Sequence, residues 1–152
     1  MTETTYNHIV AAVDFSAQTP MVIEKACVLK EQFNAKLELI HVVEIPVYPV
    51  LEDMAVMGGP GLWDEEVAEN ILESSNKKLA AMASQYGIQY YSVLNGLANT
   101  DICQFAQRSQ ADLIILGSHG VGGWKRLLGS TTNSVVNHAE CDVLLVKAKG
   151  SK

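Results

Sequence analysis

No stretch of 18 or more consecutive apolar residues occurs in this chain of 152 residues, which excludes a membrane-spanning helix and leaves no expectation of membrane insertion. Cysteine is scarce. Cys27, Cys103 and Cys141 are isolated and odd in number, which fits reduced thiols in a cytoplasm better than a disulfide framework. The start, MTETTYNH, has neither the basic residues nor the apolar centre of a signal peptide, which fits the same cytoplasmic expectation. Positive charge is also short: 11 Lys and Arg stand against 17 Asp and Glu, for a net charge of −6. Nucleic-acid binding needs cationic surface to displace counterions, so no nucleic-acid partner is expected. There are only four prolines, and three of them crowd into one segment, so the rest of the chain is free to form regular structure. No internal repeat or low-complexity tract appears. What is present, 48% apolar and 18% charged residues, describes an ordinary globular chain, long enough for one domain over residues 1–152 with a sizeable core.

Continuous apolar runs suggest strands buried on both faces. HIVAAVD (8–14) is the first and ends in a carboxylate. KLELIHVVE (36–44), IQYYSVL (88–94), ADLIILG (111–117) and CDVLLVKA (141–148) are the others. Helices are expected between them. In the first, Val22, Ala26, Leu29 and Phe33 share one face, with Ser16 and Thr19 as capping candidates and Pro20 tolerated in the first turn. Glu65 to Tyr86 reads as a long helix with Val67, Ile71, Leu79 and Met82 among its apolar positions, ended by Gly87. Residues 99–110 form a short helix with Ile102, Phe105 and Ala106 inward, and Ser130 to His138 another. Residues 45–63 hold Pro46, Pro49 and Pro60 and sustain no period, so a long loop is expected there, of the kind that serves as a lid or partner surface.

Strands alternating with helices imply an α/β fold: a parallel sheet covered on both faces by right-handed crossovers. Ligands on such sheets bind at the carboxyl ends of strands where the winding direction reverses. In the order 3-2-1-4-5, strands one and four are neighbours and Asp14 faces Gly117 across the crevice. The segment after strand four, ILGSHGVGGWKRLLGSTTNSVV (115–136), contains Gly117, Gly120, Gly122, Gly123 and Gly129. Glycines let a backbone take positive φ and approach a ligand closely, and exposed N–H groups in such a loop form an anion nest. Ser130 and Thr131 stand where the next helix begins, whose unpaired N–H groups and dipole add to the same site. Lys125 and Arg126 can reach phosphate oxygens. A phosphate cradle and a plain glycine-rich loop both satisfy this count. The segment is neither a Walker A loop nor G-x-G-x-x-G.

At these residues the chain resembles the universal stress proteins. The resemblance covers nearly its whole length, in HIVAAVDFS, LIHVVE, ADLIILGSHG and LLGSTTNSVVNHAECDVLLVK. The family's nucleotide-binding members carry G-x2-G-x9-G-[ST]. Gly117-Ser118-His119-Gly120 matches the first half and Gly129-Ser130 the second, with eight residues between Gly120 and Gly129 instead of nine. A loop this short suits a nucleotide with fewer phosphates, or holds ATP differently. The resemblance implies a Rossmann-like, open five-stranded parallel sheet of order 3-2-1-4-5 and an adenine-nucleotide pocket for ATP or AMP, with Mg²⁺ accompanying ATP. Asp14 matches the family's carboxylate near adenine and ribose, with Ala12 and Val13 leading into it. Val42 matches the residue whose backbone reads the adenine edge, and Leu116 lies under the nucleotide. Gly117, Ser118, His119, Gly120, Gly129, Ser130, Thr131 and Thr132 fall on the ribose and phosphate side. The resemblance also implies a homodimer through the last strand, Asp142 to Lys147, and a stress-response regulator acting on a protein partner.

Other side chains have plainer readings. Asp14 could simply cap the next helix, although its strand-end position favours a ligand. His119 reads as a hydrogen-bonding loop residue, His41 as a satisfied core histidine, and His8 and His138 have no metal-ligand company. Trp124, Leu127 and Leu128 are expected to pack the loop onto the body, Cys27 and Cys103 to lie in the core, and Met54 and Met57 to pack within their loop. An ATPase or phosphoryl-transfer enzyme lacks Walker residues, a Mg²⁺-binding acidic pair and an evident base, so slow hydrolysis at most is expected. A phosphorylated receiver domain lacks the paired acids after strand one and the aspartate after strand three. A nucleotide-free interaction module of the same family is the remaining alternative.

Overall fold

The computed structural model describes residues 5–45, 65–118 and 129–147. Five strands, β1 (His8–Ala12), β2 (Lys36–Val43), β3 (Tyr90–Asn95), β4 (Leu113–Gly117) and β5 (Asp142–Val146), form one parallel sheet in the order β3-β2-β1-β4-β5. Between them lie α1 (Thr19–Phe33), α2 (Glu65–Gln85), α3 (Ala98–Arg108) and α4 (Ser130–His138). The expected α/β fold and strand order are those observed. The strands fall within one to three residues of the apolar runs: β1 and β2 stop short of the ends of their runs, β4 starts two residues into its run, and β3 is displaced to end at Asn95.

The continuous runs follow from burial on both faces. Ile9, Ala11, Val13, Leu37, Leu39, Leu113 and Ile115 pack under α1 and α2 with Val22, Ile23, Ala26, Leu79 and Ala83. Val10, Ala12, Ile40, Ile114 and Leu116 pack under α3 and α4 with Ile102, Ala106 and Val135. Leu29 and Phe33 of the expected α1 face are half-buried against the first group. The α2 face differs from expectation. Leu79 is buried, but Val67 and Ile71 are exposed, and Ala68 and Ala83 take the inward places. Cys27 packs on the first core, Cys103 and Cys141 on the second, and all are half-buried rather than enclosed.

Three helices end alike. Asn34, Gly87 and Gln110 take left-handed φ of 52°, 68° and 60°. The next residue in each case, Ala35, Ile88 or Ala111, donates its N–H back to Lys30, Ala83 or Ala106. This paired return bond satisfies carbonyls that a helix end otherwise strands. Gly87 thus ends α2 as its position suggests. Among the described residues no helix is long and apolar enough to cross a membrane.

Candidate functional site

The topology places the carboxyl ends of β1 and β4 side by side, with α1 leaving on one face and α4 on the other. This is the crevice where parallel sheets take ligands.

The β1 side is a tight turn built from its own side chains. Phe15, directly after Asp14, has a φ of 61°, a strained conformation for an aromatic residue. Asp14 Oδ1 accepts the Ser16 N–H at 3.0 Å, and Ser16 Oγ accepts the Gln18 N–H at 3.3 Å. The Ser16 carbonyl accepts the Thr19 N–H at 3.0 Å. Ser16 therefore braces the entry to α1 as a capping residue would. Thr19 does not: Gln18 is the N-cap and no side chain caps the helix.

The β2 end supplies a second wall. The Phe15 and His41 rings lie with centroids 4.1 Å apart. His41 Nδ1 is 2.7 Å from the Val13 carbonyl, which can only accept, so Nδ1 carries a proton and donates it. His41 is satisfied, as expected, and it also lines the crevice with Val42. Glu44 Oε1 accepts the Ala98 N–H at 2.9 Å, and Asp101 Oδ2 accepts the Leu97 N–H at 2.6 Å, so two carboxylates serve the start of α3.

The β4 side is tied to α4. The Gly117 carbonyl accepts Thr132 Oγ1–H at 2.9 Å. Ser118 is buried, donates its N–H to the Val146 carbonyl at 3.0 Å and accepts the Gly129 N–H at 3.4 Å. Thr131 and Ser134 donate their hydroxyls to Asn99 of α3 at 3.2 and 2.9 Å. These hydroxyls are spent on neighbouring elements, and among the described residues no side chain caps α4. Its first N–H groups therefore present the positive end of the helix dipole to the crevice. Gly129 has φ −63° and Gly117 continues the strand, so neither uses the left-handed region expected of this glycine group. What glycine provides here is close approach of backbone.

Together these walls enclose a cavity of about 560 Å³, within the range of small-molecule sites. Of the residues expected from sequence, Ala12, Val13, Asp14, Val42, Leu116, Gly117, Gly129, Ser130, Thr131 and Thr132 line it. Ser118 lies behind the wall as a backbone tie. His119, Gly120, Lys125 and Arg126 lie outside the described residues, as do Trp124, Leu127, Leu128, Met54, Met57 and all of 46–63. Sequence reading missed Ser16, Gln18, Thr19, Val22, Glu44, Ala98 and Ile102 as lining residues. Only the strand-end rule could have flagged Glu44, since it stands one residue past β2. Asp14 and Glu44 are the carboxylates of the described lining, and they stand just past the ends of β1 and β2.

Residues 5–147 match the Universal stress protein family along their whole length. The chain belongs to the universal stress protein family. A curated relative, Universal stress protein A homolog 2 of Coxiella burnetii, is 38% identical over 146 residues, covering 94% of each chain. Among solved structures, hypothetical protein MJ0577 superposes with a TM-score of 0.78 at 24% identity, covering 97% of this chain and all of that one. A universal stress protein solved in complex with cAMP superposes with a TM-score of 0.59 at 22% identity, covering 95% of this chain and 98% of that one. These structures share the fold. Within this universal stress protein domain, the cavity of about 560 Å³ lies at the crevice between β1 and β4.

Proposed function

We propose that this universal stress protein is a cytoplasmic regulator that binds an adenine nucleotide, ATP or AMP, between β1 and β4 and works as a homodimer paired through Asp142 to Lys147. The observation that carries the reading is the opposed chemistry of the crevice. Asp14 presents a carboxylate that accepts hydrogen bonds, as a ribose hydroxyl requires. Val42 offers backbone to the adenine edge, and Ala12, Val13 and Leu116 supply apolar surface for base and sugar. On the β4 side, Gly117, Gly129, Ser130, Thr131 and Thr132 surround helix N–H groups that no described side chain caps and that suit phosphate. Ser118, His119 and Gly120 complete that end in the family's pattern. The relative bound to cAMP, an adenine nucleotide, supports the same ligand class. Mg²⁺ accompanying ATP would rest chiefly on phosphate oxygens, since the described residues contain no group of three metal-ligating side chains. The nucleotide acts as a regulatory ligand, hydrolysed slowly at most, and its occupancy is read by a protein partner.

Denaturing the purified protein and identifying released nucleotide, followed by calorimetry with ATP and AMP, tests the reading. The expected result is adenine nucleotide in the supernatant and saturable binding of at least one of the two. A protein that carries none and binds neither rejects it. The eight-residue spacing from Gly120 to Gly129 would then favour the second reading, an interaction module without nucleotide.

A further inference from the structure

The α1 wall of the crevice contains a buried polar group that no described residue pairs. Thr19 is the first residue of α1, lines the cavity, and is only 2% exposed. Its Oγ1 meets no hydrogen-bond partner among the described residues. Buried hydroxyls are almost always paired, and an unpaired one needs a reason. The internal role open to it, capping α1, is not taken.

The surrounding donors limit what could complete it. The N–H groups of Ser16, Gln18 and Thr19 are already given to Asp14, to Ser16 Oγ and to the Ser16 carbonyl. Pro20 has no N–H, and the Asp14 carboxylate stands at the same wall. This helix start is therefore unlike that of α4. Much of its donor set is spent and the Asp14 carboxylate shares its wall, so it does not favour an anion. Beside Thr19, Val22 supplies apolar surface one turn on.

We propose that Thr19 is a ligand-contacting, selectivity-determining residue whose hydroxyl bonds a neutral polar atom of the nucleoside, either a sugar hydroxyl or a ring nitrogen of the base. This rests on the nucleotide reading above and deepens it. Threonine in a helix has two χ1 wells open to it, so one rotamer change lets the hydroxyl meet a ligand seated against the wall. The two helix starts then act oppositely. The α4 end takes the anionic part, the α1 end takes the neutral part, and the nucleotide is held in one direction. A polar group set in an apolar wall also selects against ligands that leave it unpaired.

The test is calorimetry of adenosine, AMP and ATP with the wild type, Thr19→Val and Thr19→Ser, beside thermal melting of each ligand-free protein. Thr19→Val keeps the shape and deletes the hydroxyl. It should weaken all three ligands by the same factor, roughly tenfold for one hydrogen bond. Its ligand-free melting temperature should stay level or rise, because the lost hydroxyl has no partner among the described residues. Thr19→Ser should retain most of the affinity. Adenosine analogues lacking the 2′-hydroxyl, the 3′-hydroxyl, or N1, N3 or N7 then identify the atom. The analogue missing the partner should bind wild type and Thr19→Val equally well.

Three outcomes overturn the assignment while leaving nucleotide binding intact: equal affinities in wild type and Thr19→Val, a loss confined to ATP, or a lowered melting temperature of ligand-free Thr19→Val. A wild type that binds neither nucleoside nor nucleotide overturns the nucleotide reading, and the assignment with it.

Discussion

Phe15 holds the least comfortable backbone near the crevice. Its left-handed φ turns the chain directly after Asp14, and its ring lies on His41, with the Lys78 ammonium 5.6 Å from the ring centroid. Strain of this kind persists only where neighbours over-determine it, and here both rings and the Asp14–Ser16 bond do so. The three cysteines show a different residue-scale effect. Burial is the first cause pushing each thiol above its ordinary pKa. Neighbouring Glu31 and Glu24 raise Cys27 further against the opposing pull of Lys30, and Cys103 adds to the rise at Cys141. The thiolate is the reactive form, so raised values mean slow chemistry at neutral pH. Alkylation by iodoacetamide at pH 8 should therefore be slower for the native protein than for the urea-unfolded one, with the native rate climbing only as pH passes the ordinary thiol value. The linkage has the same sign. The stability these neutral thiols contribute is present below the unfolded pKa and is lost as pH rises through the raised folded values. Equal native and unfolded alkylation rates would sink this account.

At the scale of elements, the start of α3 shows how tightly the crevice wall is set. Gly96 donates its N–H to the Val43 carbonyl at 3.0 Å, which fixes its backbone, and a Cβ placed there would run into the Asp101 carboxylate. Asp101 is the acceptor for the Leu97 N–H. Gly96→Ala should thus force Asp101 aside and remove that bond, at a cost of about 0.5–2 kcal/mol, the scale of a lost helix cap. Asp101→Ala should cost a similar amount. The double variant should cost little more than either single one, because the same bond is lost once. Urea unfolding of the four proteins measures this, and simple additivity would reject it.

The elements themselves were largely legible, because strands buried on both faces must be apolar at every position and these runs are. Gly87 was legible because a helix that must stop needs a residue at ease with positive φ. Val67 and Ile71 misled because periodicity shows which side of a helix is apolar, not whether the sheet reaches that far. The site was legible where a strand ends in a residue out of keeping with its run, as at Asp14 and Gly117. Glu44, one residue past β2, could have been flagged the same way, but the site was not legible at Thr19 or Ala98. These are ordinary residue types that enter the crevice only through the register of neighbouring strands and the tilt of α1 and α3.

At the scale of the molecule, the sheet formed by the described residues has two edges, β3 and β5. The β3 edge carries exposed Tyr90 and Tyr91, with the Lys36 ammonium 4.4 Å from the Tyr90 ring centroid. The β5 edge is apolar from Val143 to Val146, with exposed Asp142 and Lys147 at its ends. An uncovered apolar edge invites pairing, and a twofold axis would run two copies antiparallel, bringing the Asp142 end of one strand to the Lys147 end of the other. The backbone shows which groups would pair. The Val146 carbonyl faces β4, since it accepts the Ser118 N–H. In a parallel ladder alternate residues face alternate sides, so Val143 and Leu145 direct their N–H and carbonyl groups to the free edge. Leu145→Pro therefore deletes an outward N–H without touching the β4 ladder, and proline is tolerated on edge strands. It also removes a half-buried side chain from the second core, which Leu145→Ala controls for. Relative to Leu145→Ala, Leu145→Pro should weaken the dimer by about tenfold or more, the scale of one hydrogen bond and its register, while the far-ultraviolet signature of the fold is kept. Sedimentation across micromolar concentrations measures it. A wild type that is monomeric throughout rejects the dimer, and Leu145→Pro dimerising as well as Leu145→Ala would move the interface to another surface, with the β3 edge the next to test.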